Sequence, residues 1–312
     1  MISGVLCCGN LVHDIAVSPI SQVVWGRSIW VDSIEDGFGG NGANTSYTLA
    51  KLGTPVRLAG MVGSDDAGNR VVAILQAVGV DTSCVERCNL PTPATVALVN
   101  PDGARALLHR LGASKEAFKD PIEWTPELTR GCSWFHLANV FALPRLRPRA
   151  KEIVAQAREN GLSVSIDTGW DARGEWMDVL GPCLPYTDLL FVNEDEAREL
   201  TGSADPLDAA RAFERQGARN VVVKLGAAGC LVCSGEHAVS SPGFRVKVVD
   251  TTGAGDCFAG GFLAALQHGF SYVEAAHFAN AVGALSVQRF GGTPGLLNFE
   301  DTLTWITEQQ GG

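Results

Sequence analysis

The sequence predicts an α/β fold in which helices cover both faces of a doubly wound, mostly parallel sheet. Short apolar strands alternate with amphipathic helices along most of the 312 residues. That alternation is typical of parallel sheets, because each crossover between parallel strands needs a connecting helix. Hydrophobic residues make up 46% of the chain and charged residues 19%, which indicates a large core and excludes a disordered chain. With no repeat and no Pro-rich linker, we expect a single domain, 1–312.

Hydrophobic periodicity places the elements along the chain. The predicted strands of the main sheet are 56–61, 132–137, 162–167, 188–192 and 220–225. The predicted helices between them are 46–52, 68–78, 147–159, 194–200 and 207–216. The pattern then changes: 230–233 and 245–249 are predicted as strands joined by a turn, and three helices follow at 254–268, 272–289 and 299–308.

Two stretches, 13–34 and 94–109, interrupt the alternation with period-two patterns and no helix between strands. The pairs Asp36-Gly37 and Asp102-Gly103 are typical of hairpin turns. These features predict a small antiparallel β-sheet inserted at about 11–38 and 93–114. A small sheet beside a large domain forms a cleft, where small-molecule sites are common. We therefore expect the small sheet to act as a lid.

Composition excludes several classes of function. The chain has 24 Lys and Arg against 34 Asp and Glu, a net charge of −10, and no basic cluster, so we expect no nucleic-acid partner. No apolar stretch approaches the ~20 residues of a membrane span, and no secretion signal is visible. We therefore expect a cytoplasmic protein with no membrane partner. The one Cys-x-x-Cys pair, Cys230 and Cys233, lacks the second pair of a zinc site.

The segment 37–42, GFGGNG, matches the glycine pattern of dinucleotide sites. Its context argues against such a site, because no βαβ strand precedes it and no acidic residue follows about 20 positions later. Two interpretations remain. The glycines form only a turn, or they allow the backbone to approach a ligand that also meets the amides of Asn41 and Asn44.

The segment 248–258, VVDTTGAGDCF, carries the strongest signal. A strand ends near Asp250 and an apolar helix begins near Asp256, so unpaired backbone N–H groups converge at the positive end of the helix dipole. This arrangement predicts an anion hole that binds phosphate by backbone alone, formed by Gly253, Ala254, Gly255 and Asp256. A carboxylate there disfavours an anion unless it is needed, and a general base for an attacking hydroxyl is one such need. The alternative is that Asp256 only caps the helix.

Two glycine segments resemble the signatures of the ribokinase-like (PfkB) carbohydrate kinases. The segment 250–256, DTTGAGD, resembles their C-terminal signature, and 39–44, GGNGAN, resembles their N-terminal signature. Weaker matches are Gly9-Asn10 through Asp14, Asn193-x-x-Glu196 and Lys224-Leu225-Gly226-x-x-Gly229. The resemblance covers nearly the whole chain. It implies a ribokinase-like fold with a lid, and transfer of the γ-phosphoryl group of Mg·ATP to a hydroxyl of a small sugar or sugar acid.

The resemblance also implies roles for single positions. Asp256 would deprotonate the acceptor hydroxyl, while the backbone at 253–255 would stabilise charge on the phosphoryl group. The implied acceptor contacts are Asp14, Gly40, Asn41 and Asn44, and the implied nucleotide contacts are Asn193, Lys224, Gly226, Gly229 and Asn280. Glu196 would hold Mg²⁺ through water, and Asp250 would bind a monovalent cation such as K⁺. Apart from the resemblance, Glu196 could equally be a first-turn carboxylate, Asn280 a polar helix residue and Asp250 a turn former.

The identity of the acceptor stays open at this point. Ribokinases usually carry Lys where this chain has Asn41, which argues against ribose. The segment 167–176, DTGWDARGEW, is closer to the fructokinase and ketodeoxygluconate kinase pattern DPNxRxxxW, although Gly169 replaces its Asn. Arg110 in a lid strand is a candidate contact for a substrate carboxylate, and a solvated rim charge is the alternative.

Other functions remain as alternatives. A nucleoside kinase on the same fold would differ only in its acceptor, and a non-catalytic sugar- or nucleotide-binding protein would show binding without turnover. An NAD-dependent oxidoreductase would need the dinucleotide site that the context of 37–42 argues against. Lid strands expose their edges, and the resemblance implies a homodimer that pairs the lids.

Overall fold

The computed structural model describes residues 2–101 and 105–310. The strands are β1 Gly4–Cys8, β2 Val12–Ser18, β3 Ser33–Gly39, β4 Val56–Gly63, β5 Asp81–Cys88, β6 Ala94–Val99, β7 Arg105–Arg110, β8 Cys132–Ala138, β9 Ser163–Asp167, β10 Leu189–Asn193, β11 Asn220–Lys224, β12 Gly229–Ser234 and β13 His237–Pro242. The α-helices are α1 Asn41–Lys51, α2 Asp66–Ala77, α3 Pro126–Thr129, α4 Ala150–Glu159, α5 Met177–Leu180, α6 Glu194–Thr201, α7 Pro206–Arg215, α8 Ala254–Gln267, α9 Tyr272–Ser286 and α10 Phe299–Gln310.

The main sheet has nine strands in the order β13-β12-β11-β10-β9-β8-β1-β4-β5. The strands from β11 to β5 pair in parallel, and β12 and β13 extend the sheet antiparallel at one edge. Because parallel strands align their carboxyl ends, the loops after β1, β8, β9 and β11 meet along one edge, where ligands bind in such sheets. The predicted doubly wound, mostly parallel sheet is confirmed.

Two hydrophobic cores hold the helices against opposite faces of this sheet. On one face, α8 and α9 pack with α1 and α2, and the rings of Phe191, Phe258 and Phe262 meet at centroid distances of 5.4 to 6.2 Å. On the other face lie α4, α6 and α7. Burial of each such aromatic ring stabilises the fold by roughly 1.5–3 kcal/mol. None of the helices in the described ranges has the length and apolar character that a bilayer crossing requires.

The small sheet is present, in the order β3-β2-β6-β7, but it is not fully antiparallel as predicted. Strands β2 and β6 pair in parallel, while β3 and β7 add antiparallel on the outside. The reason is topological: β2 follows β1 and β6 follows β5, so both leave the carboxyl edge of the main sheet in the same direction.

Asp36-Gly37 is not a turn but lies inside β3, paired with Ile15 and Asp14. The Asp36 carboxylate accepts from His13 of β2 and, at 2.6 Å, from Arg70 of α2, and these contacts fix the extended strand. The predicted turn at Asp102-Gly103 falls outside the described residues.

The prediction of a strand at 245–249 is wrong. Strand β12 pairs instead with β13 through a hairpin at 235–236. After β13 the backbone of Gly243 passes so close to Ala227 that a Cβ there would lie 2.5 Å from the Ala227 carbonyl oxygen. The chain then leaves the sheet, and Phe244 packs against the rings of His277 and Trp305. Strand β5 was missed because its sequence, DTSCVERC, lacks a continuous apolar pattern.

Candidate active site

Helix α8 begins with free backbone donors. Its N-cap residue, Gly253, is left-handed with φ 71°, and no side chain caps this end of the helix. The Ala254 N–H donates to the Thr251 carbonyl oxygen at 3.2 Å, whereas the N–H groups of Gly255 and Asp256 have no partner within the described residues. Free N–H groups at the positive end of a helix dipole attract an anion. The N–H groups of Gly255 and Asp256 are therefore available to an anion, whereas that of Ala254 is engaged, and the anion hole at 253–256 stays a prediction.

Asp256 lies in the first turn of α8 with only 8% of its surface exposed. Its Oδ1 accepts from Asn41 Nδ2 at 2.7 Å and its Oδ2 from Asn44 Nδ2 at 2.9 Å. Asn139, which the sequence analysis missed, donates to Asn41 Oδ1 at 3.0 Å and fixes that amide. Burial raises the pKa of Asp256, although the two amide hydrogen bonds oppose the shift. A carboxylate with a raised pKa is a stronger proton acceptor.

A cavity of about 560 Å³ lies between the small sheet and the first turns of α1 and α8; we call it the small-sheet cavity. The predicted residues that line it are Asp14, Gly40, Asn41, Asn44, Asp250, Gly253 and Asp256. Glycines allow this convergence, because a Cβ at Gly39 would lie 2.0 Å from Asp14 Oδ2 and Gly40 has φ 95°. Burial raises the pKa of Asp14 to about 6, and a hydrogen bond with the Thr95 side chain opposes the rise.

A second cavity, of about 480 Å³, lies beside α9; we call it the α9 cavity. Four residues predicted to contact nucleotide line it: Lys224, Gly226, Gly229 and Asn280. Asn280 stabilises the wall of the α9 cavity, because its Nδ2 donates to Ser241 O at 3.0 Å, Ser241 Oγ at 3.1 Å and Pro242 O at 3.2 Å.

The loop 250–253 and the first turn of α8 separate the two cavities. Gly253 and Asp256 line the small-sheet cavity, whereas Ala254 and Gly255 line the α9 cavity. Ligands in the two cavities would therefore meet at the free N–H groups of α8, with the Asp256 carboxylate on the small-sheet side.

Lys224 forms a buried ion pair that the sequence analysis did not predict. Its Nζ lies 2.9 and 2.8 Å from the two carboxylate oxygens of Asp167, and a Cβ at Gly255 would lie 3.1 Å from this Nζ. Burial opposes charge on Lys224, but Asp167 and Glu196 outweigh it and raise the pKa of Lys224. Burial raises the pKa of Asp167 even though Lys224 lowers it in part. The ammonium group thus stands next to the anion hole.

Asn193 and Glu196 line neither cavity. They form a capping box at the start of α6: Glu196 N donates to Asn193 Oδ1 at 2.8 Å, and Asn193 N donates to Glu196 Oε2 at 3.1 Å. Thr168 Oγ1 also donates to Glu196 Oε2, at 2.7 Å. These contacts engage Glu196 Oε2, while the charge of Glu196 still acts on Asp167 and Asp256.

The structure places the lid arginines differently from the expectation. Arg110 lines neither cavity, and its guanidinium donates to the Thr92 carbonyl oxygen at 3.0 Å. Arg105 lines the small-sheet cavity instead and donates to Asp250 and to Thr252 Oγ1. Its position in the sequence, next to a predicted turn, gave no signal of this contact.

The segment 167–176 is held by contacts that lie outside both cavities, beginning with the pair of Asp167 and Lys224. Asp171 pairs with the buried Arg147 at 2.7 and 3.0 Å and accepts backbone N–H bonds from Arg173, Glu175 and Trp176. Residues 168–176 line neither cavity. Asp167 lines neither cavity either, so no residue of this segment is in position to contact an acceptor in the small-sheet cavity.

Comparison with known proteins decides the family. The model of the pfkB family carbohydrate kinases matches residues 8–298. The chain belongs to this family. As a pfkB family carbohydrate kinase it is a phosphotransferase that acts on an alcohol group, with a ribokinase-like fold.

Relatives within the family differ in acceptor. The chain is 30% identical over 266 residues to the aminoimidazole riboside kinase of Salmonella typhimurium, covering 81% of this chain and 82% of that protein. It is 29% identical over 286 residues to fructokinase-1 of Zea mays, covering 86% and 88%. The structure of Arabidopsis thaliana ribokinase complexed with ribose and ATP superposes with a TM-score of 0.85 at 27% identity, covering 98% and 99%.

Proposed function

We propose that this pfkB family kinase transfers the γ-phosphoryl group of ATP to a hydroxyl of a neutral sugar, with the sugar in the small-sheet cavity and ATP in the α9 cavity. One observation carries the proposal: the uncapped N-terminus of α8 lies between the two cavities, with Asp256 facing the first and Gly255 the second. In-line transfer needs the acceptor and the phosphate to meet at one point.

Each group at this point has a task in the proposed transfer. Asp256 takes the proton of the attacking hydroxyl, which increases the nucleophilicity of the oxygen. The N–H groups of Gly255 and Asp256 stabilise the negative charge that develops on the transferred group. The Lys224 ammonium adds positive charge beside them. Asp14 and Asn44 bind hydroxyls of the sugar and align it.

The residues present fit a magnesium ion held largely by the nucleotide. No group of three His, Cys, Asp or Glu side chains within 2–101 and 105–310 could bind a metal by itself. Glu196 nevertheless adds buried negative charge close to the anion hole. Mg²⁺ keeps waters and binds phosphates, so Glu196 would hold it through water, with Asn193 fixing the carboxylate. When bound, Mg²⁺ would neutralise charge on the phosphates.

The charges in the small-sheet cavity favour a neutral acceptor over a sugar acid. Five carboxylate residues line the cavity: Asp14, Glu35, Asp36, Asp250 and Asp256. Of these, Asp36 pairs with Arg70 of α2. Arg105 is already paired with Asp250, and Arg110 points away. An anionic acceptor would therefore face uncompensated repulsion.

A nucleoside is the second candidate acceptor. Phe38 and Tyr47 line the small-sheet cavity with ring centroids 5.2 Å apart, and aromatic rings bind planar bases by stacking. The cavity volume of about 560 Å³ is within the range of sites for drug-sized ligands, roughly 300–1,000 Å³, so a sugar bearing a base would have room.

An acceptor panel with Mg·ATP tests both proposals. We expect ADP release with ribose, fructose or a riboside, and at least tenfold lower kcat/KM with 2-keto-3-deoxygluconate. Preference for the sugar acid would contradict the charge argument. Binding of sugar and ATP without ADP release would instead indicate a non-catalytic protein.

The outer face of the small sheet supports a homodimer that pairs two lids. Trp25 and Trp30, in the loop between β2 and β3, are each 94% exposed, and Ile34 of β3 and Leu108 of β7 are exposed as well. Exposed apolar patches of this kind mark interfaces. Sedimentation should give twice the monomer mass of 32.9 kDa, and a Trp25→Ser, Trp30→Ser variant should give the monomer mass. A wild-type mass near 33 kDa would contradict the dimer. The expected cytoplasmic location stays a prediction, which cell fractionation would test.

A further inference from the structure

Asp250 lies buried at the start of the loop that leads into α8, with 4% of its surface exposed. Both carboxylate oxygens are engaged by N–H donors: Thr252 N donates to Oδ1 at 2.8 Å, and Gly291 N donates to Oδ2 at 3.0 Å. Burial raises the pKa of Asp250, but these hydrogen bonds and Arg105 outweigh burial and lower it. The carboxylate is therefore ionised and needs a positive charge nearby.

Arg105 provides that charge from a distant part of the chain. It lies on β7 of the small sheet, 145 residues before Asp250, and its Nη1 donates to Asp250 Oδ1. The same guanidinium donates to Thr252 Oγ1 and, at 3.4 Å, to Thr251 Oγ1. A planar guanidinium suits several oxygen acceptors at once, and here all of them belong to the loop 250–252.

The groups around Asp250 do not fit an additional monovalent cation. Hard cations need several oxygen ligands. Here the hydroxyl oxygens of Thr251 and Thr252, which lie beside the carboxylate, already accept from Arg105, and backbone N–H groups donate to the carboxylate itself. A nearby carbonyl oxygen, that of Val287, already accepts from Val249 N at 2.7 Å and from Asp250 N at 3.1 Å. A second cation would also be repelled by Arg105 at close range.

We propose that Arg105 is the internal counter-cation of Asp250, so that phosphoryl transfer by this chain does not require K⁺. Arg105 is a positioning residue: it acts through Asp250 and the threonines of the loop that shapes the anion hole. Because Arg105 belongs to the small sheet, the same ion pair fastens that sheet over the cavity in which the acceptor binds. The inference about the reaction rests on the proposed function.

Cation dependence tests the proposal. ADP release is measured with the best acceptor and Mg·ATP in chloride salts of K⁺, Na⁺ or tetramethylammonium at equal ionic strength. For the wild type we expect kcat values within about twofold in the three salts. For Arg105→Gln we expect kcat in tetramethylammonium to fall at least tenfold, and K⁺ to raise it again at least fivefold. Arg105→Lys, which keeps a cation, should stay insensitive to K⁺.

A matched control is Arg130→Gln. Arg130 is an exposed arginine that pairs with Glu127 on the surface, and its loss should leave the salt profile of the wild type. Stimulation of the wild type by K⁺ of fivefold or more would overturn the proposal. An equal response to K⁺ in wild type and Arg105→Gln would overturn it as well.

Melting temperatures separate this inference from the proposed function. K⁺, compared with tetramethylammonium, should raise the melting temperature of Arg105→Gln by several degrees and leave that of the wild type unchanged. This readout needs no acceptor, so it decides the role of Arg105 even if no sugar is turned over. If Arg105→Gln does not fold, the wild-type salt profile and Arg105→Lys still decide the outcome.

Discussion

Replacing Asp256 by Asn tests the catalytic role of this residue separately from its effect on stability, because its hydrogen bonds can be repaired and the variant should fold. In the wild type both oxygens of Asp256 accept from side-chain amides, those of Asn41 and Asn44. The amide nitrogen of an Asn at 256 would face one of these donors. Asn44 Oδ1, however, is buried without a partner in the described structure, so a flip of the Asn44 amide would present an acceptor to the new N–H. The variant also removes a buried charge.

The expected change in stability is therefore small and the change in rate large. A single repaired hydrogen bond changes the free energy of unfolding by about 1 kcal/mol or less, which shifts the melting temperature of a 312-residue chain by about 2 °C or less. Loss of a general base lowers kcat by roughly 10²–10⁴, which corresponds to about 2.7–5.5 kcal/mol of activation free energy.

The assay is ADP release at saturating Mg·ATP and acceptor, together with thermal unfolding of the same preparations. Asp195→Asn is the matched control, since Asp195 is an exposed residue of α6 that pairs with Arg198, and it should keep wild-type kcat. If Asp256→Asn retained more than a tenth of the wild-type kcat, Asp256 would be a helix-terminal residue and not the base.

Three further predictions concern charge and packing. Burial raises the pKa of Asp14 to about 6, so this carboxylate loses its charge as the pH falls from 7 to 5. The KM for the acceptor should therefore rise over that range. Asp14→Asn should abolish this pH dependence of KM. A flat wild-type profile would contradict this role. Lys224→Met leaves Asp167 buried and unpaired, so urea denaturation should show a free energy of unfolding lower by about 3–5 kcal/mol. Adding Asp167→Leu should restore most of this stability. A decrease below about 1 kcal/mol would contradict a stabilising ion pair. Gly260→Ala should lower the free energy of unfolding by about 1–3 kcal/mol, because its Cβ would lie 2.8 Å from the Thr48 side chain of α1. Gly283→Ala, whose Cβ would have its nearest neighbours 3.9 Å away, should leave the stability unchanged or increase it. Equal melting temperatures for the two alanine variants would contradict the packing argument.

The local pattern of apolar and polar residues was sufficient to predict most of the fold. The alternation of apolar strands and amphipathic helices predicted the parallel sheet, since strand and helix periodicities are properties of neighbouring residues. The two glycine segments were also recognisable, because a strand end, a left-handed Gly253 and a helix start follow each other directly in the chain. Exposed or interrupted segments escaped this approach: β5 has no apolar run, and 245–249 has a strand-like pattern without a partner strand.

By itself, then, the sequence determined the class of the sheet and the glycine turn with its helix start at 253–256, because these follow from local backbone geometry. Only the tertiary structure decided which distant side chains share the site. Asp256 meets Asn41 and Asn44 across 215 and 212 residues, and Arg105 reaches Asp250 across 145. Such contacts depend on strand order and on the parallel register of β2 with β6. Arg105 contacts the loop 250–252 and Arg110 lines neither cavity. The periodicity of the sequence does not predict which of the two arginines reaches this loop.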